Sequence, residues 1–405
     1  MKLFKGLFAL SALIATVAIY FRPVFPNSAS NLWLKTLAGL HVKLIHAVSV
    51  TGGALGFSPI NITRAMTDVM LIMNRPSPDV TEEWTTMAGV PVLLYRPAAA
   101  LPGLQPAIIH IHGGGWALMS PAHYGPVCRE LVRATNSVVA SIDYRRSPEH
   151  LYPVPLNDVI TATKHFLSHA DMYHVDKNRI AVKGDSAGGN LALALVLNLT
   201  SEVELPAISA LSLDYPAIQL FNFDLPSYHT YEYGPCFLTK TLMINYWLTY
   251  IFGHRQYFSI LYNREHIDEE TLVTYEDFIS PELLPEFLQK ESKKVNRPGN
   301  NNAKPSDTVL REIRSKIRDP MIAPLMASDD VMSKLPPTYV LTAEFDALRD
   351  ESFILVERLR RVGVKVEHAY CPHEEHGFLN FADIDSNAKR EIGKAAAFII
   401  KALNH

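Results

Sequence analysis

The sequence predicts an α/β protein with a mostly parallel central sheet flanked by helices. Three observations carry that expectation. Short apolar runs rich in β-branched residues recur at 90–95, 107–111, 137–142, 180–182, 208–213, 338–341 and 364–369. Helical patterns lie between them at 124–135, 155–168, 191–199, 351–361 and 388–403, and such alternation implies a sheet covered on both faces. Two glycine-rich turns, 113–115 and 184–188, directly follow strand candidates, at the carboxyl edge where parallel α/β sheets meet their ligands.

The chain of 405 residues is long enough for one large core with an inserted segment. A hydrophobic content of 48% with 20% charged residues describes a folded globular chain. A net charge of −3, without a basic stripe, argues against a nucleic-acid partner. Cys128, Cys236 and Cys371 are scattered and form no Cys-x-x-Cys pair. Neither a zinc site nor a dense disulfide framework follows, and the odd count leaves at least one thiol outside any internal disulfide.

Taken in order, the chain opens with Lys2 and Lys5 beside an apolar segment, 6–21, that ends at Arg22-Pro23. Sixteen residues at about 1.5 Å each span roughly 24 Å, against a hydrocarbon core of about 30 Å. Lys5 and Arg22 can snorkel and Tyr20 can sit at the interface, so 1–22 is expected to be an uncleaved membrane anchor. A cleaved signal peptide ending near Ser28-Ala29-Ser30 competes with it, as does a buried helix. Residues 31–75 mix helical periodicity with a glycine-rich break at 51–56, and Pro76-Ser77-Pro78 reads as a linker. The main domain, 80–405, follows, and its rhythm is interrupted from about 221 to 318. That interval holds aromatic residues (Tyr231, Tyr233, Phe237, Tyr246, Trp247), then a charged stretch and Arg297-Pro298-Gly299-Asn300-Asn301-Asn302. The aromatic part fits a packed helical insert or a cap lining an apolar pocket, and the asparagine run a surface loop.

Gly184-Asp185-Ser186-Ala187-Gly188 lies between the strand candidate 180–182 and the helix candidate 191–199. In that setting G-x-S-x-G makes a sharp turn with an exposed serine at a helix N-terminus, where the dipole and free N–H groups favour an oxyanion. A plain glycine turn packing helix on strand is the competing reading. A serine hydroxyl needs a base. His376, followed by Gly377-Phe378 and about seven residues past a strand candidate, is preferred over His373. Asp346, just beyond the strand candidate 338–341, can orient that imidazole, whereas Asp350 more plausibly opens the next helix. After 107–111 comes His112-Gly113-Gly114-Gly115-Trp116, whose glycines expose backbone N–H groups. The expected oxyanion donors are Gly113, Gly114 and Ala187. This machinery needs no metal or organic cofactor.

His-Gly-Gly-Gly-Trp, Gly-Asp-Ser-Ala-Gly-Gly-Asn, Phe345-Asp346-Ala347-Leu348-Arg349-Asp350 and His376-Gly377-Phe378 together resemble the hormone-sensitive-lipase family of α/β-hydrolases. The likeness is to its arylacetamide deacetylase and neutral cholesterol ester hydrolase branch, extends over nearly the whole chain, and includes Leu213–Ala217 and Asp224–Tyr228. It implies an α/β-hydrolase fold with a helical cap built from 31–75 and the 221–318 insertion, and a triad of Ser186, Asp346 and His376. That chain order, Ser, Asp, His, is the α/β-hydrolase order. The resemblance gives His112 a loop-shaping role in the motif that Gly115 completes. It also implies a serine hydrolase acting through an acyl-enzyme on small apolar esters or amides, with a non-catalytic ligand-binding member as the alternative. Two departures stand out. Many relatives carry Asp-Gly-Phe before the His-Gly where this chain has Glu374-Glu375, and cysteines where it has Ala117 and Ala343.

Two sequons, Asn61-Ile62-Thr63 and Asn198-Leu199-Thr200, are candidate glycosylation sites. Lys2 and Lys5 favour a cytoplasmic amino terminus only slightly, because Arg22 follows the apolar segment closely. The family likeness tips the expectation to a single-pass type II protein of the endoplasmic reticulum membrane with a luminal main domain, and to Asn61 as the better acceptor.

Overall fold

In the computed structural model, which describes residues 25–72, 74–99, 102–232, 234, 237–292 and 305–404, the apolar runs become strands of one eight-stranded sheet. The strands are β1 (Val80–Met87), β2 (Val90–Pro97), β3 (Gln105–Ile111), β4 (Val138–Ile142), β5 (Val175–Asp185), β6 (Ala210–Asp214), β7 (Thr338–Phe345) and β8 (Val366–Glu375). They lie in the order β1-β2-β4-β3-β5-β6-β7-β8. β1 and β2 pair antiparallel, as do β2 and β4, and every later pairing is parallel.

Alternation along the strands divides the core in two. Leu94, Ile109 and Val182 face one side, where they pack with α4 (Val154–Ser168) and α5 (Ser186–Leu199). Leu93, Ile108 and Ala181 face the other, against α3 (Gly125–Thr135) and α10 (Ser386–Leu403). A parallel sheet buried on both faces needs this double covering. β1 is the strand that the apolar pattern does not announce. Glu82, Glu83 and Trp84 are exposed on it, as suits a polar edge strand whose charges discourage further pairing.

Between β6 and β7, the described residues of 221–318 hold helices only, chief among them α6 (Lys240–Ile251), α7 (Glu269–Ile279) and α8 (Asp307–Ile317). Before the sheet come α1 (Leu32–Ala54) and α2 (Pro59–Thr67), with α1 running through Gly52-Gly53 before the break. α2 starts where the Ser58 side chain accepts from the Asn61 N–H and Pro59 occupies the first turn. After β7 comes α9 (Arg349–Arg361). The proposed anchor 1–22, Tyr233, Cys236 and the 297–302 run lie outside the described residues. Among the described residues, no helix is long and apolar enough to cross a membrane. Cys128 and Cys371 are buried free thiols.

The crossing of α5 over β3 positions the nucleophile turn. A Cβ built on Gly188 would stand 2.1 Å from the Ile111 carbonyl oxygen. Backbone on both sides of that contact leaves nothing flexible to yield. Gly188→Ala is therefore expected to lower stability by about 1–3 kcal/mol through overpacking, read as a lower thermal midpoint. An unchanged midpoint would show that the two elements can separate without loss.

Candidate active site

β5 ends at Asp185 and α5 begins at Ser186, which holds φ +53°. A non-glycine residue in the left-handed region is strained and persists where its surroundings dictate it. Here the close crossing at Gly188 dictates it, and the turn aims the Ser186 hydroxyl off the sheet edge at the start of a 14-residue helix.

The sheet order explains the rest of the constellation. β7 and β8 are parallel neighbours, with Phe345 opposite Glu375, so the residues just past them, Asp346 and His376, leave adjacent strands together. His376 Nδ1–H donates to Asp346 Oδ2 at 2.8 Å, and Ser186 Oγ lies 2.9 Å from His376 Nε2. The buried Asp346 carboxylate also accepts the Leu348 N–H through Oδ1 at 2.8 Å, which fixes its plane. With Nδ1 carrying the proton, Nε2 is the acceptor that faces the hydroxyl.

The two rivals stand elsewhere. Asp350 accepts from the Ser227 N–H and pairs with Arg349, both at 2.8 Å. His373 is half exposed beside Glu344.

The glycine-rich turn after β3 is braced from beneath. His112 is buried, stacks on Tyr144 at 4.3 Å between centroids, and places Nδ1 2.8 Å from the Gly113 carbonyl. Tyr144 OH donates to the His112 carbonyl at 2.9 Å. Burial pulls the His112 imidazole down to about 3, so it is neutral and serves the loop's shape. Gly113 departs from expectation. Its N–H donates to Asp185 Oδ1 at 2.9 Å and lies 3.0 Å from the Tyr124 hydroxyl, so it is engaged inside the protein and is not an oxyanion donor. Tyr124 OH in turn donates to Asp185 Oδ2 at 2.8 Å. Burial raises the Asp185 carboxyl to about 7.

Gly114 and Gly115 line the cavity beside Ser186 and Ala187. Their N–H groups donate to no described protein group, and neither does that of Ala187, in the first turn of α5. The donor set the geometry offers is thus Gly114, Gly115 and Ala187. A Cβ on Gly115, at φ +61°, would run into the Tyr246 ring at 2.3 Å, so the loop sits flush against α6.

A cavity of about 2150 Å³ opens onto Ser186 and His376. Leu34, Val42 and Ile45 of α1 line one wall, and Met243 and Tyr246 of α6 line another. The aromatic insert therefore does two jobs. Trp247 and Tyr250 are core, packed on Trp116 at 4.4 and 4.6 Å, while Tyr246 and Phe237 face the cavity. The sequon residues differ as well. Asn61 is exposed on α2, whereas the Asn198 side-chain oxygen is buried near the end of α5.

Sequence reasoning missed Asp185, Tyr124, Tyr144 and Lys35. Asp185 stood inside the motif as its variable residue. Tyr124, Tyr144 and Lys35 carried no local signal, because their partners are remote in the chain.

A family model for the alpha/beta hydrolase fold matches residues 108–276 and 283–380. Neutral cholesterol ester hydrolase 1 of Mus musculus is 33% identical over 397 residues, covering 93% of this chain and 94% of that one. Arylacetamide deacetylase of Bos taurus is 31% identical over 390 residues, covering 94% of each. Among solved structures, an esterase of Pyrobaculum calidifontis superposes with a TM-score of 0.63 at 26% identity, covering 88% of this chain and 97% of that one. A thermostable esterase from Pseudomonas putida shares the fold with a TM-score of 0.64 at 24% identity, over 90% of this chain and 96% of the other. A family model that spans more than half of the chain, and relatives above 30% identity along nearly all of it, place the chain in the α/β-hydrolase family, with neutral cholesterol ester hydrolase and arylacetamide deacetylase among its relatives.

Proposed function

We propose that this chain is a serine hydrolase that cleaves carboxylic esters of bulky apolar substrates through an acyl-enzyme. The observation that carries the reading is the unbroken line Asp346–His376–Ser186, at 2.8 and 2.9 Å, facing a largely apolar cavity. Ser186 Oγ attacks the substrate carbonyl as its proton passes to His376 Nε2, and Asp346 stabilises the imidazolium. The N–H groups of Gly114, Gly115 and Ala187 receive the oxyanion, each worth on the order of 10²–10³ in rate. His376 hands the proton to the departing alcohol, then takes one from the water that releases the acid.

At about 2150 Å³ the cavity exceeds the roughly 300–1000 Å³ usual for small-ligand sites, which supports lipid-sized esters. The names of the relatives support both sterol esters and arylacetamides as classes to try. A non-catalytic binding member of the fold would not need all three triad groups in hydrogen-bond contact.

A fluorophosphonate probe should label the wild-type protein at Ser186 and leave Ser186→Ala unlabelled. In a panel graded by acyl length, kcat/KM should rise with chain length through at least eight to ten carbons, on the order of 0.8 kcal/mol per buried methylene at most. Labelling that survives Ser186→Ala would sink the nucleophile, and a preference confined to acetyl esters would sink the lipid reading.

The membrane and luminal reading belongs to the same proposal. The apolar segment 6–21 carries no charged side chain. α1 and the turn after it also expose Trp33, Leu37, Val50, Leu55 and Phe57. Both features suit a chain held at a bilayer surface. In sealed microsomes the main domain should resist protease until detergent is added. Endoglycosidase should shift the protein's mobility, and Asn61→Gln, not Asn198→Gln, should abolish the shift. Digestion without detergent would place the domain in the cytosol and end this part of the proposal.

A further inference from the structure

Lys35 lies in the first turn of α1, yet it is only 1% exposed and its ammonium is enclosed by the strand end that carries the catalytic histidine. Lys35 Nζ donates to the His373 carbonyl at 2.5 Å and to Glu374 Oε2 at 3.0 Å. It also meets Glu375 Oε2 at 2.6 Å, and among the described residues that oxygen has no other partner. Both carboxylates are buried, with side-chain exposures of 3% and 1%. Ser30 adds two ties, its hydroxyl to Glu374 Oε1 at 2.6 Å and its N–H to the His373 carbonyl at 3.0 Å. Asn387 adds another to Glu374 Oε1 at 3.1 Å.

All three residues preceding His376 are thus held from outside the sheet, by a segment more than 330 positions away. The strand is irregular just here. Its pairing with β7 shifts between Ala343 and Phe345, and His373 sits at φ +69°. The ladder is interrupted before it resumes at Glu375 opposite Phe345, where the Glu344 carboxylate also takes the His373 N–H at 2.6 Å, and across that gap the ties from Ser30 and Lys35 help to set where β8 ends. An ammonium and two carboxylates taken out of water cost several kcal/mol per ion before their mutual attraction is counted, and well-packed apolar groups are often at least as stable. Stability alone is a poor reason for such a cluster, whereas fixing the residue next in the chain is a good one.

We propose that Lys35 is a positioning residue for His376, acting through the buried carboxylates of Glu374 and Glu375 to set the strand end from which the base reaches Ser186. The inference rests on His376 as the base. It also accounts for the departure at Glu374-Glu375, since both carboxylates turn to Lys35 and not to the imidazole. A displacement of about 1 Å at a reacting group can lower a rate on the order of 10²-fold. The segment that leads from 6–21 into the fold thereby becomes part of the active site's support.

The test uses the full-length protein in detergent with a soluble short-chain chromogenic ester. Lys35→Met should lower kcat about 10- to 100-fold while KM changes less than about threefold, because the cavity wall is untouched. Fluorophosphonate labelling should slow in parallel. Lys35→Arg, which keeps a cation, should recover most of kcat. The triple variant Lys35→Met, Glu374→Gln, Glu375→Gln removes the uncompensated charge and should regain the thermal midpoint with kcat still depressed. If kcat returned with the midpoint, or if folded Lys35→Met turned over like wild type, the cluster would be structural only and the inference wrong. Should Lys35→Met fail to fold, Ser30→Ala removes the one hydroxyl tie to Glu374 and is expected to lower kcat severalfold, and an unchanged kcat there would count against the proposal. His376→Ala is the control. Undiminished turnover in that variant would overturn the base assignment itself, and this inference with it.

Discussion

Removal of His376 should be the most damaging single change at this site. His376→Ala leaves the Ser186 hydroxyl without a proton acceptor, because Nε2 at 2.9 Å is the only basic atom in hydrogen-bond contact with it among the described residues. The expected loss in kcat is on the order of 10⁶, as for serine hydrolases that lose either base or nucleophile. Ser186→Ala should fall about as far. The double variant should fall no further than either alone, since the two groups act as one unit. The thermal midpoint should fall, because the fully buried Asp346 carboxylate loses its His376 partner and keeps only the Leu348 N–H. Steady-state rates with a short-chain ester, measured per folded molecule, decide the matter. Losses that multiply in the double variant would mean that serine and histidine work in separate steps.

Asp346→Asn is expected to lower kcat about 10⁴-fold while the fold persists. The local bonding says why. Asp346 Oδ1 accepts the Leu348 N–H at 2.8 Å, and an asparagine oxygen can keep that bond. Its amide then stands where Oδ2 was and presents an N–H to His376 Nδ1. The imidazole must accept there, so its proton moves to Nε2 and faces the serine hydroxyl. Geometry is preserved and the tautomer is wrong. Asp350→Asn should behave differently, because Asp350 is buried against Ser227 and Arg349, away from the imidazole. It should lower the thermal midpoint and leave kcat per folded molecule within a fewfold of wild type. The reverse pattern would exchange the two assignments.

Much of this site was legible in residue order because its parts are set by short-range sterics. The strand-glycine-serine-glycine-helix passage admits one sharp turn, and that turn, held by the close crossing at Gly188, puts Ser186 in the left-handed region. Asp346 and His376 could be read because each follows an apolar run that ends a strand. The distinction between those two residues and Asp350 or His373 was less legible. It depends on which side of a strand end a side chain leaves, and the irregular pairing of β7 with β8 decides that.

By itself the sequence determined the fold class, the strands from β2 onward with α3, α4, α5, α9 and α10 between and after them, and the order in which nucleophile, acid and base occur. Apolar periodicity and glycine sterics act within a dozen residues and need no partner. Tertiary structure decided which donors face the cavity. Gly113 and Gly115 stand in the same three-glycine run, yet Asp185, 72 positions on, takes the N–H of Gly113, while that of Gly115 donates to no described protein group. It likewise decided which aromatic residues of α6 are wall and which are core, a matter of helix rotation against Trp116. It also supplied Lys35 to two glutamates 339 and 340 positions away. Burial makes each of these choices strict, because an unpaired N–H or carboxylate inside a protein costs far more than one in water, and only the assembled chain determines which groups are buried together.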